Sequence, residues 1–149
     1  IYFLKNLLND EQCTYTNIEF EVTESQIMKN PEKSIKILEE ISDLGISIAI
    51  DDFGTGYSSL AYLKRLPINK LKIDRSFIKD LPGDAEDAAI TKTIISLCDS
   101  LNLKVIAEGV ETKEQRDFVL NNGCKFIQGF LYSRPLEIEK MTEFLSSYK

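Results

Sequence analysis

The chain has 149 residues, of which 43% are hydrophobic and 28% charged, enough for one domain with a real core and too few for two ordinary ones. Its formal net charge of −6 argues against a general nucleic-acid polymer binder, because no basic face is available to displace counterions from phosphates. One small phosphorylated ligand remains compatible, since a bound divalent cation reverses the local field.

No apolar run reaches the roughly 20 residues that span a bilayer, and no signal peptide opens the chain. The expectation is a cytoplasmic domain, cut from a longer protein because it opens on Ile1, whose parent can still be membrane-tethered. Cys13, Cys98 and Cys124 are far apart and lack metal-ligand spacing, and histidine is absent, which argues against zinc. They read as buried or idle thiols in a reducing compartment.

In chain order, Ile1–Leu8 reads as the end of a helix and Asn9–Thr16 as a polar turn. Ile18–Val22 alternates apolar and acidic residues, as a strand does. Pro31 opens an amphipathic helix with Ile35, Leu38, Ile41 and Leu44 on one face, and Gly45 ends it. Ile46–Ile50 is the continuous apolar run of a buried parallel strand. The same alternation then repeats: a loop over Asp51–Gly56, a helix over Tyr57–Leu66 stopped by Pro67, and a short strand over Leu71–Ile73. A long helix over Ala85–Leu101 follows, with Ile90, Ile94, Leu97 and Leu101 on its buried side. Leu103–Ala107 is a strand, Thr112–Asn121 a helix ended by Gly123, Phe126–Ile127 a last strand, and Glu137–Ser147 a closing helix.

Strands alternating with helices through short connections predict right-handed parallel βαβ units. Such units build either a doubly wound sheet or part of a (β/α)₈ TIM-type barrel. Both put the C-terminal strand ends at one face, where α/β folds hold their sites. Residues unsuited to a core collect at those ends: Glu21 and Glu24, then Asp51 and Asp52, Lys72 and Asp74, Glu108 and Glu111, and Gln128.

Some of these have plainer uses. Glu24 and Glu111 suit helix caps or first-turn acids, Asp74 suits an ion pair with Arg75, and Lys72 suits a neutralising partner for buried acids. Glu21, Asp51, Asp52 and Glu108 fit such uses less well. Carboxylates that converge without basic neighbours repel one another unless a cation joins them, and hard oxygen ligands suit Mg²⁺, Mn²⁺ or Ca²⁺. The Asp51–Gly56 run DDFGTG adds a tight glycine turn beside paired acids, a pattern suited to two-metal phosphodiester chemistry.

The runs Glu19–Ser25 (EFEVTES), Asp51–Ser59 (DDFGTGYSS), Leu71–Phe77 (LKIDRSF) and Ala107–Thr112 (AEGVET), with Gln128-Gly129-Phe130 and Arg134-Pro135, resemble the EAL domain in order and spacing over nearly the whole chain. The resemblance implies a (β/α)₈-type barrel that hydrolyses cyclic di-GMP to linear pGpG with Mg²⁺ or Mn²⁺. By position, Glu21 and Asp51 resemble ligands of the first metal, Asp51 bridging to the second, and Asp52 a second-metal ligand. Lys72 matches the lysine that holds the attacking water, and Glu108 the glutamate near metal and water, as ligand or general base. Glu24 resembles the acid that braces the glycine-rich loop, and Asp74 and Glu111 supporting acids. Gln128 stands near the guanine or phosphate end of the site, and Phe130 where the family has Tyr or Phe.

The Glu-Ala-Leu signature and an expected metal-binding asparagine are absent from the chain and belong before Ile1. The expectation is therefore a single partial domain over 1–149, the five C-terminal βα units, weak or inactive alone. A non-catalytic cyclic di-GMP-binding module is the alternative, and a receiver-like signalling domain a third. The other expectations are self-association or a homodimer, and further signalling domains in the parent protein.

Overall fold

The computed structural model describes residues 18–56 and 60–147. The readings at Ile1–Leu8, Asn9–Thr16, Cys13 and the helix start at Tyr57 lie outside these residues. Five strands, β1 (Glu19–Thr23), β2 (Ser47–Phe53), β3 (Lys70–Ile73), β4 (Lys104–Glu108) and β5 (Phe126–Gln128), form one parallel sheet in the order β1-β2-β3-β4-β5.

That order decides between the two architectures. Each crossover steps to the next strand in the same direction, so right-handed connections leave all the helices on one face, as along part of a (β/α)₈ barrel. A doubly wound sheet reverses its order, and the receiver-like order 2-1-3-4-5 differs from the one observed. The receiver-like reading is thereby overturned.

The helices are α1 (Glu24–Lys29), α2 (Pro31–Ser42), α3 (Leu60–Leu63), α4 (Ala85–Ser100), α5 (Lys113–Asn121) and α6 (Ile138–Ser147). Thr23 caps α1, Asn30 caps α2 with Pro31 in its first turn, and Asp84 accepts from the amides of Glu86 and Asp87 at the start of α4. Thr112 and Gln115 form a capping box on α5. Ile35, Leu38 and Ile41 of α2, Ile94, Ile95 and Cys98 of α4 and Val119 of α5 pack on Ile48, Ile50, Leu71, Ile73, Val105 and Ala107 of the sheet. No helix of the described residues is long and apolar enough to cross a membrane.

Four details differ from the sequence reading. The run β2 continues to Phe53, where a loop was expected after Ile50. Helix α1 was not foreseen, because six residues between two caps are too few to show a period. Among the described residues helix α3 ends at Leu63, where Leu66 was expected. Ile90 is 39% exposed, and Thr91 is buried instead, its hydroxyl donating to Phe77 O at 3.2 Å, which turns the inward row of α4 to Thr91, Ile94, Ile95 and Cys98.

Candidate metal centre

Strand alternation sorts the sheet into two chemically different faces. With Ile48, Ile50, Leu71, Ile73, Val105 and Ala107 committed to the helices, the intervening residues face the other way. These include Glu19 and Glu21 of β1, Ala49 and Asp51 of β2, Lys70 and Lys72 of β3, Glu108 of β4 and Gln128 of β5. Ala49 stands in register between Glu21 and Lys70, and its small side chain lets groups on β1 and β3 meet across β2.

Two layers of charge result. In the lower, Lys70 pairs with Glu19, which also accepts from Ser47 Oγ at 2.8 Å. Burial alone would raise the Glu19 carboxyl, but the Lys70 and Ser47 contacts bring it below the usual range. In the upper, at the C-terminal strand ends, the Lys72 ammonium lies 2.8 Å from Glu108 Oε1, 2.9 Å from Glu21 Oε2 and 3.1 Å from Asp51 Oδ1. Lys72 is 4% exposed. Burial by itself would lower its pKa; the contacts to Glu108, Glu21 and Asp51 outweigh this and hold it above that of an ordinary lysine.

The bulge in β2 brings the paired aspartates together. In a regular strand Asp51 and Asp52 would point to opposite faces. Here Ile50 pairs with Leu71 and Phe53 with Ile73, so β2 spends one extra residue, and Asp52 takes φ of 54°, the left-handed conformation that Asp tolerates better than most. Carboxylate oxygens of Asp51, Asp52 and Glu108 consequently all lie within 4.8 Å of one another. Burial, followed by the charges of Asp51 and Asp74, raises the Asp52 carboxyl. Glu108 is also raised, chiefly by burial and against the pull of Lys72, with Asp51 adding to the rise.

Glu21, Asp51 and Glu108 thus meet one ammonium with Asp52 close by, which leaves an excess of negative charge. Asp51 Oδ1 is buried and, though 3.1 Å from Lys72 Nζ, lies outside hydrogen-bond geometry, so this oxygen has no donor. A buried carboxylate oxygen whose cationic neighbour is poorly aligned to bond it, in an all-oxygen cluster, fits a hard divalent cation. Glu21 reaches the group through Lys72 and stands outside the three-carboxylate cluster.

The remaining acids have definite partners. Glu24 is 1% exposed, and its Oε2 accepts from Gly54 N at 2.9 Å, tying α1 to the turn that follows Asp52. Its Oε1 is buried without a donor, and a Cβ on Gly56 would lie 2.8 Å from it. Asp74 caps a short 3₁₀ turn by accepting from Ser76 N at 2.9 Å. The expected Asp74–Arg75 pair is not formed: Arg75 bonds Glu111 Oε1 at 2.8 Å, because the cap turns Asp74 toward its own turn. Thr112 caps α5, so Glu111 is not the cap.

Gln128 is in register with Glu108. Phe130, 48% exposed, lies under the Arg134 guanidinium, 5.2 Å from its ring centre. Gln128, Phe130, Arg134, Glu111 and Arg75 help to line a cavity of about 450 Å³ that also takes in Gly109, the residue after Glu108. The roles of Arg75 and of the Glu19–Lys70 layer went unread in the sequence. For the layer a signal existed, since Glu19 and Glu21, like Lys70 and Lys72, are two apart on strands and share a face.

The EAL domain family matches the chain over residues 1–135. The cyclic di-GMP phosphodiesterase NbdA of Pseudomonas aeruginosa is 52% identical over 132 residues, which is 89% of this chain and 17% of that protein. The bifunctional diguanylate cyclase/cyclic di-GMP phosphodiesterase MucR of the same organism is 49% identical over 138 residues, 93% of this chain and 20% of that protein. This chain therefore spans a fifth or less of either relative's length.

Among solved structures, the MucR phosphodiesterase in complex with c-di-GMP superposes with a TM-score of 0.89 at 49% identity, covering 93% of this chain and 56% of that one. The BlrP1 protein of Klebsiella pneumoniae, in a manganese/cyclic di-GMP complex, superposes with a TM-score of 0.83 at 34% identity, covering 90% of this chain and 34% of that one. With a sequentially ordered parallel sheet and an acidic cluster at its C-terminal edge, the chain belongs to the EAL domain family.

Proposed function

We propose that the chain is the C-terminal part of a metal-dependent phosphodiesterase domain that hydrolyses cyclic di-GMP to linear pGpG. The observation that carries the reading is the convergence of Asp51, Asp52 and Glu108, beside the buried Lys72, at the strand ends. In this reading Asp51, Asp52 and Glu108 hold Mg²⁺ or Mn²⁺, with Glu21 completing the site once further ligands join from outside this chain. When bound, such cations supply an activated water and neutralise charge on the phosphodiester.

The residues of the chain divide the remaining work. Glu108, which sits in the cluster next to Lys72, is assigned to take a proton from the attacking water. In the cation-free site Lys72 stays an ammonium through the neutral range, so there it acts as a fixed positive charge that holds the carboxylates and faces a phosphate oxygen. One water adds across one P–O3′ bond: phosphorus gains the water's oxygen and keeps its 5′ ester, and the 3′ oxygen leaves with a proton. Gln128 and Phe130, in the adjoining cavity, are assigned to the nucleotide's base or phosphate end. Asp74 and Glu111 support the rim from the second rank, and Glu24 braces the loop after Asp52.

The five strands among the described residues are fewer than the eight of a closed barrel, which favours a second reading for the isolated chain, a module that binds cyclic di-GMP without cutting it. The parent protein is assigned further signalling domains and a cytoplasmic site of action, and the chain a tendency to self-associate or form a homodimer. Incubation of the chain, and separately of the longer protein, with cyclic di-GMP and Mn²⁺ tests these assignments. Formation of pGpG by the longer protein and little by the chain is expected. No product from the longer protein would refute the catalytic assignment, and rapid turnover by the chain would refute its incompleteness.

A further inference from the structure

The pair Arg75–Glu111 is unusual in what surrounds it. Both side chains are well exposed, at 61% and 40%, so the ion pair contributes little to stability. The stem of Arg75 is nonetheless packed hard against the backbone after β4. A Cβ built on Gly109 would fall 2.3 Å from Arg75 Cγ and 2.8 Å from its Cβ and Cδ, and Gly109 has φ of +68°. Only glycine admits both this conformation and this approach.

Beyond Gly109, Val110 N donates to Gln128 O at 3.1 Å, and Val110 O accepts from Leu131 N at 3.1 Å. The segment carrying Glu108 and Glu111 is thus held by Arg75 on one side and by the backbone after β5 on the other.

Resting on the phosphodiesterase reading, we propose that Arg75 is a positioning residue for the reaction. Its stem clamps Gly109 next to Glu108, and its guanidinium fixes the Glu111 carboxylate on the wall of the 450 Å³ cavity. Neither end of Arg75 contacts the carboxylate cluster; Arg75 also lines the cavity, so the double variant below separates action through Glu111 from direct contact with substrate. Misplacing a substrate-contacting wall by about an ångström costs on the order of ten- to a hundredfold in rate.

The test uses the longer protein with cyclic di-GMP and Mn²⁺, comparing wild type with Arg75→Met, Arg75→Lys, Glu111→Gln and the Arg75→Met/Glu111→Gln double variant. Arg75→Met, which keeps most of the stem and loses the head, is expected to lower kcat/KM roughly tenfold, mainly through KM, with Tm nearly unchanged. Arg75→Lys, able to reach the same single oxygen, should recover at least half of the loss, and the double variant should be no worse than Glu111→Gln alone. A kcat/KM for Arg75→Met close to wild type, or losses in the double variant that simply multiply, would overturn the proposal.

A wild-type protein without activity would instead sink the phosphodiesterase reading. The clamp is then judged by amide hydrogen exchange in the 149-residue chain. Faster exchange at Val110 in Arg75→Ala supports it, and unchanged exchange overturns it.

Discussion

Lys72 is the residue on which the site's charge balance turns. Its buried ammonium faces Glu108, Glu21 and Asp51. Replacing it with methionine leaves those carboxylates clustered without a counter-charge, a change that costs about 3–5 kcal/mol where a buried pair is broken. Urea denaturation of Lys72→Met without metal should show a loss of that order, and added Mn²⁺ should restore part of it. Asp52 behaves in the opposite sense. Its folded-state pKa is raised, so the folded chain holds this proton at a pH where the unfolded chain has released it. Ionised Asp52 therefore opposes folding, increasingly as pH rises from the unfolded carboxylate range through the raised folded value. Without metal, Asp52→Asn should raise Tm near neutral pH, with the gain shrinking toward pH 4. It should also weaken the response to Mn²⁺. The acids themselves were readable because charges at the ends of apolar runs have few uses. The partner of Glu111 was not, since Asp74 and Arg75 are adjacent in sequence and only the cap on Ser76 turns them apart.

At the level of elements, the bulge in β2 and the brace from α1 place the acids. The bulge was not legible. A strand that spends an extra residue looks, in sequence, like a strand that stops at Ile50 before a polar loop. The brace was legible as a family resemblance, and the structure adds its physical form, a buried carboxylate accepting from Gly54 N. Groups that orient metal ligands from behind typically affect metal affinity by about ten- to a hundredfold. Glu24→Ala should thus weaken Mn²⁺ binding by roughly tenfold in titration calorimetry. The cap Thr112→Ala is a control from the same rim: it should cost about 1 kcal/mol in urea denaturation and leave Mn²⁺ binding unchanged. The face of α2 was read well, since Ile35, Leu38 and Ile41 are apolar at helical spacing and all three are buried. The face of α4 was misjudged at Ile90 because Thr91 is polar by residue type, while its hydroxyl is satisfied internally by Phe77 O.

For the whole molecule, the alternation of strands and helices was plain in the sequence, while the winding of a partial barrel was legible only through the family resemblance, because the order of strands is a property of packing. The sequential order leaves β1 and β5 as edges of the sheet among the described residues, with Phe126, Tyr132 and Leu120 exposed near β5. Open edges beside apolar surface favour association. Light scattering of the 149-residue chain should show a mass that rises with concentration, and a monomer throughout would contradict this. The proposed site depends on oxygens from β2 and β4 sharing a cation. Anomalous diffraction from crystals soaked in Mn²⁺ tests it most directly. A manganese peak bounded by Asp51, Asp52 and Glu108 is the predicted result; peaks confined to other surfaces, with that cluster empty, would contradict it.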